Sequence, residues 1–153
     1  MVKYDILDIA NWFLAKESMT HKKLQKLCYY AVAWGYAVLD REICNRSEFQ
    51  AWVHGPVSPV LYERYKDVNF WEKIVLDIAE YNGTLDNELC GLLHSVWITY
   101  GDQTGNSLES LTHIEPPWIN ARGDCGADDK CNTPIDIGDM IEYYRSIYTG
   151  GDN

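Results

Sequence analysis

Positive charge is the scarcest resource of this chain: 13 Lys and Arg stand against 23 Asp and Glu, a net charge of −10 over 153 residues. Phosphate contacts need clustered Lys and Arg, so direct nucleic-acid binding is excluded as the main function. A basic protein partner is admitted, with charge helping the encounter more than the final affinity. Long apolar runs are missing too, the longest uncharged one being Leu27 to Leu39, well short of the roughly 20 residues that span a bilayer. The opening residues MVKYDILDIANWFLAK carry charges throughout and lack the apolar core of a signal peptide, so a cytoplasmic location without membrane association is expected. Five cysteines, an odd number without paired spacing, imply reduced thiols and no disulfide framework. No nucleophile elbow, phosphate loop or zincin motif is present, and there is no internal repeat or low-complexity linker. At this length one domain, residues 1–153, is the expectation.

What the chain has in abundance is aromatic surface: six Trp, eleven Tyr and three Phe, each ring removing roughly 150 to 250 Å² from water when buried. The stretch THKKLQKLCYYAVAWGYAVL, residues 20–39, is the one around which the rest must be organised. Leu24, Leu27, Cys28, Ala31, Trp34, Gly35 and Val38 recur at spacings of three and four, one stripe of a helix, while tyrosines, valine and alanines fill its flanks. A helix apolar nearly all round must be covered on several sides. Only its start reads as wet, where His21, Lys22, Lys23 and Lys26 stand, and Thr20 is its expected N-cap. The first 26 residues carry a net +2, so the remaining 127 carry −12.

The other elements follow in order. An amphipathic helix is expected from about Tyr4 to Lys16, with Ile6, Ile9, Ala10, Phe13 and Leu14 inward. Phe49, Ala51 and Val53 alternate with Gln50, Trp52 and His54 as a strand, closed by Gly55 and Pro56 and paired with Glu42 to Cys44 in a small hairpin. Ser58 and Pro59 open a helix as N-cap and first-turn proline. Residues 69–82 fit a helix through Phe70, Trp71, Ile74, Val75, Ile78 and Tyr81, without clear caps, and Asn82 with Gly83 marks a turn. Asp86 caps a helix to Tyr100 that Gly101 ends. Asn106 and Glu109 resemble a capping box for a short helix, stopped by Pro116 and Pro117. Gly123 to Pro134 reads as an exposed loop before a closing helix, from about Asp136 to Tyr148, that packs Ile137, Met140, Ile141, Tyr144 and Ile147.

Candidate chemistry is thin. Cys125 and Cys131 with Asp124, Asp128 and Asp129 lack the second close pair that zinc requires and the spacing of a calcium loop, so no metal and no cofactor is expected. His113 with Glu115, or Cys28 and Cys90 with a histidine, would be the catalytic candidates; the two thiols sit on apolar helix faces where they are inert, and no catalytic residue is assigned. His113 is instead expected to order a turn by bonding backbone at the helix end, with Trp118 packed over the prolines.

Three segments go further: HKKLQKLCYYAVAW from His21, EFQAWVHGPVSPVLYERYK from Glu48, and ELCGLLHSVWITYG with SLESLTHIEPPWINAR out to Arg122. In order and spacing they resemble the Panacea domain, the family of SocA-like antitoxins and phage-associated GepA proteins. The resemblance implies a mainly α fold and a non-enzymatic antitoxin that neutralises a partner toxin by direct binding, with proteolytic delivery of the toxin as a second route. Toxins that modify tRNA or otherwise block translation are among the partners it implies. The chain departs from the family pattern at Val53 and His54, where a basic residue and an aromatic often precede Gly-Pro-Val, and in its Cys-containing loop. The expected architecture is one compact helical domain around the central apolar helix, with a short β-hairpin. The expected partner-binding residues are Lys22, Lys23 and Lys26 at the wet helix start with Trp52 and His54. The alternatives are a prophage or mobile-element protein that binds and inhibits or redirects a host protein, as a proteolytic adaptor for instance, and a hydrolase or metal-dependent enzyme.

Overall fold

Eleven short elements and two single turns follow one another in the computed structural model, which describes residues 2–81 and 83–148. They are α1 (Ile6–Lys16), β1 (Met19–Thr20), α2 (His21–Trp34), a π-helical turn (Gly35–Leu39), β2 (Gln50–Trp52), β3 (Gly55–Val57), α3 (Pro59–Tyr65) and β4 (Lys73–Ile74). A 3-10 turn (Ile78–Glu80), α4 (Asn87–Tyr100), α5 (Gly105–Thr112), α6 (Pro116–Arg122) and α7 (Ile137–Ile147) complete them. The architecture is mainly α with a short antiparallel hairpin, β2 against β3, and a second two-stranded pair, β1 against β4. Among the described residues no helix is long and apolar enough to cross a membrane. Asn82, half of the expected turn, lies outside the described residues.

Helix α2 is the axis, as its pattern requires. Leu24, Leu27, Cys28, Tyr30, Ala31 and Ala33 are fully buried, and α1, α4, α5, α7 and β3 all pack on it. Each fully buried leucine contributes about 1.5–3 kcal/mol relative to exposure. Thr20 caps it as expected, its Oγ1 accepting from Lys23 N at 3.3 Å. The helix widens into the π turn before Asp40 stops it at φ 54. A side chain at Gly35 would stand 2.6 Å from Ile43, so the close approach of the following segment requires glycine there. Beneath α2 the hydroxyls of Tyr30 and Tyr144 both donate to Glu115 Oε1, at 2.8 and 2.9 Å, and Tyr30 stacks on Tyr100 with centroids 4.0 Å apart. Burial raises the Glu115 carboxyl above its ordinary range, the two tyrosine hydrogen bonds acting against it.

Several expectations change. The partner of β2 is not Glu42 to Cys44 but β3, in the register Gln50 to Val57, Ala51 to Pro56 and Trp52 to Gly55. The turn between them is Val53 and His54, without the Asn-Gly signature of tight hairpins, and Pro56 in a strand argues against pairing. Gly55 makes the turn possible with φ +100. The described part of the expected 69–82 helix, residues 69–81, forms no long helix: Lys73 and Ile74 pair with Thr20 and Met19 instead, and Phe70, Trp71, Val75 and Ile78 are exposed. Helix α5 is capped by Thr104, whose Oγ1 accepts from Ser107 N at 3.1 Å, two residues before the expected Asn106. Pro116 and Pro117 do not stop that helix, which ends at Thr112; they open α6, where the missing amides cost nothing. In α7, Met140 and Tyr144 are buried as expected, whereas Ile137 and Ile147 are exposed.

Candidate functional site

The β2–β3 hairpin is held by polar side chains reaching its backbone from the helices. Gln25 Oε1 accepts from Ser58 N at 2.8 Å while its Nε2 donates to Ser58 O at 3.2 Å. Lys26 Nζ donates to Pro56 O at 3.1 Å. From α6, Arg122 Nη1 donates to Ala51 O at 3.2 Å and Trp118 Nε1 to Trp52 O at 2.9 Å. Arg122 Nη2 also bonds Gly126 O and Asp129 O, so one guanidinium ties the 123–134 loop to the hairpin. That loop is not free along its length: Ala51 N donates to Thr133 O at 2.9 Å, Ile135 N donates to Phe49 O at 2.8 Å, and Cys131 is buried.

Lys26 is therefore not part of a wet helix start. It is 1 % exposed, because β3 lies across the polar-looking side of α2 and offers it a carbonyl. Burial, opposed by Glu109 and assisted by Lys22, lowers its pKa to about 7. His21 beside it is lowered to about 4 by burial and by the Lys26 charge, so near neutrality its Nε2, 3.1 Å from Gln25 Nε2, is an acceptor. Gly55 sits over this lysine: a Cβ there would approach Lys26 Cε and Thr112 Oγ1 to 2.9 Å, at a backbone angle L side chains avoid. Gly55→Ala is expected to cost about 2–4 kcal/mol, read as a lowered denaturation midpoint with an unchanged slope.

A cleft of about 790 Å³ opens between the starts of α2 and α5, the hairpin and α3. Lys22, Lys26, Trp52 and His54 line it, so four of the five expected partner-binding residues share one concavity, joined by Tyr62 and Phe70. Lys23 does not: its Nζ donates to Gly101 O at 2.6 Å and lies 5.5 Å from the Trp97 ring centroid. Lys22 Nζ is 2.6 Å from Glu109 Oε1, and His54 Nδ1 is 3.1 Å from Glu109 Oε2. Burial pushes the Glu109 carboxyl up, but hydrogen bonds from Lys22 and His54 outweigh it and leave it below its ordinary value. Trp52 packs its ring 4.9 Å from that of Tyr62 and donates to Gln50 Oε1.

The other candidates disperse. His113 stacks on Trp118 with centroids 4.0 Å apart and its imidazole bonds backbone as expected, though at Val53 in the hairpin turn rather than at the helix end, while Glu115 turns inward to the tyrosines, so the two form no working pair. Cys28 is buried, and burial drives its thiol well above the ordinary value. Cys131 is lowered to about 7 by hydrogen bonds from Cys125 and Thr133. Among the described residues no group of three or more His, Cys, Asp and Glu is placed to hold a metal. Sequence reasoning missed Gln25 and Arg122; the available signal was two polar residues embedded in apolar surroundings, LQKL and INAR.

Comparison with known proteins gives one positive result. The family model described as "Antitoxin SocA-like, Panacea domain" matches residues 24–119, which include most of α2, the hairpin and the start of α6. No curated protein and no solved structure matches the chain.

Proposed function

We propose that this chain, which belongs to the SocA-like antitoxin family of Panacea domains, neutralises a protein toxin in the cytoplasm by binding it, without catalysis, through the cleft between α2, the hairpin and α5. The observation that carries this reading is the cleft itself, floored by buried polar groups and rimmed by aromatic side chains. Phe70 stands on that rim 84 % exposed, with the 64 % exposed Trp71 ring edge-on to it at 5.0 Å. Contiguous apolar surface of this kind next to polar groups is the composition of protein interfaces. The hairpin tip is rigidly held from below, so His54 and Trp52 are presented with little ordering left to do.

The test is co-expression with the adjacent open reading frame, scoring growth and recovering the tagged chain with whatever it holds. Rescue with a stable complex supports sequestration; rescue that requires a host protease supports delivery instead. Capture of a host protein beside a harmless neighbour would favour a mobile-element effector. Within a complex, Trp52→Ala is expected to weaken binding about 100-fold, the cost of a central aromatic anchor. Lys23→Glu, pointing away from the cleft, is expected to change affinity less than about threefold. Equal effects of the two substitutions, measured by calorimetry, would move the interface elsewhere.

A further inference from the structure

The cleft contains a buried lysine on which the charge of Glu109 acts only from beyond ion-pair distance. The other lysines around it are already matched: Lys22 by Glu109 at 2.6 Å, whose second oxygen is 3.1 Å from His54 Nδ1, and Lys66 by Glu63 at 2.7 Å. Lys26 makes a single hydrogen bond, to Pro56 O, although its ammonium has three donors. Among the described residues no carboxylate lies within ion-pair distance of it. None of the described residues that line the cleft is Asp or Glu, in a chain with 23 of them. The first turns of α2 and α5 also border it, at Thr20 to Lys22 and Thr104 to Asn106, and both present the positive ends of their helices.

We infer that the cleft takes the carboxylate side chain of an Asp or Glu on an exposed segment of the partner toxin, with Lys26 as its counter-ion and a neighbouring apolar side chain against Trp52, Tyr62 and Phe70. This rests on the reading of the cleft as the toxin-binding surface. One unmatched cation fits one carboxylate; a phosphate chain would bring several negative charges to a site with one to answer them, on a molecule of net charge −10. The desolvated setting makes the pair selective, because a neutral amide in the same place leaves Lys26 without its partner.

The ¹⁵N-labelled full chain is titrated with the blocked peptide acetyl-Gly-Leu-Glu-Phe-Gly-amide and with its Gln counterpart. The signals followed are the Trp52 indole and the Gly105 amide. The glutamate peptide is expected to shift both, and the glutamine peptide to bind about tenfold or more weaker. His54→Glu and Lys66→Glu, on exposed side chains that leave the fold intact, are expected to weaken the glutamate peptide by a similar factor; Lys26→Met abolishes the preference for Glu over Gln. Equal binding of the two peptides, shifts confined to other residues, or stronger binding of a short oligonucleotide at the same signals would overturn the assignment. The two readings separate in the co-expression assay. A variant that loses the peptide but still neutralises the toxin refutes the cleft as toxin surface while upholding the carboxylate site. Neutralisation lost with Trp52→Ala in a protein that never binds the peptide refutes the carboxylate alone.

Discussion

Lys26→Met is expected to abolish a rise in stability between about pH 7 and pH 10 that the parent chain shows. In the folded chain the lysine has a pKa of about 7 against 10.5 for the free side chain. The unfolded chain therefore binds more protons across that window, and stability increases with pH through it. Below pH 7 both states are protonated and the folded state carries the full cost of a buried ammonium, on the order of 2–5 kcal/mol. The groups facing Lys26 are His21 and Lys22 on its own helix, Glu109 on α5 and His113 just after it. His21, lowered from 6.5 to about 4, adds a second penalty of the same sign that grows as pH falls from about 6.5 to 4. Methionine removes the charge but leaves Pro56 O without its donor, a loss of about 1–3 kcal/mol. The variant should therefore be the more stable protein near pH 6 and the less stable near pH 10. Denaturant unfolding followed by circular dichroism across this range reads the difference; parallel curves for the two proteins would mean that Lys26 stays charged throughout.

Arg122→Met should cost about 3–5 kcal/mol, a large part of the 5–15 kcal/mol that holds a domain of this kind together. The guanidinium is 5 % exposed and serves Ala51 O, Gly126 O and Asp129 O at once, stacked 5.4 Å from the Trp118 ring centroid. Without it three carbonyls lose their donor, and the loop after α6 is no longer tied to β2 by a side chain. Arg122→Lys should recover little, because a point ammonium cannot span carbonyls arranged around a planar fork. Urea midpoints and hydrogen exchange at Ala51 and Cys125 measure the effect. A lysine variant as stable as the parent, or a methionine variant within about 1 kcal/mol of it, would show that the loop is held by its backbone contacts alone.

Much of the helical frame was legible because its signals act within one or two turns. The 3.6-residue period identified α1, α2, α4 and α7, and the expected caps Thr20, Ser58 and Asp86 each accept the backbone amide that a cap should take. The apolar residues of 69–82 misled because period alone does not distinguish a helix from an apolar strap that leaves its side chains outside. Pro116 and Pro117 misled because the same residue that ends one helix opens the next. Four of the five proposed binding residues share the cleft, yet Lys26 is there as a buried floor and not as part of a charged rim.

The sequence by itself determined the family, the mainly α class and the apolar helix around which everything packs, since those depend on composition, order and local periodicity. Only the tertiary structure decided which strand completes the hairpin, that Lys26 and Arg122 are buried, and that the starts of α2 and α5 meet beside Trp52. Those facts rest on pairs far apart in the chain, Lys26 with Pro56, Arg122 with Ala51 and Lys22 with Glu109. A polar side chain reads as solvent-facing until the carbonyl that satisfies it has been brought across by the fold.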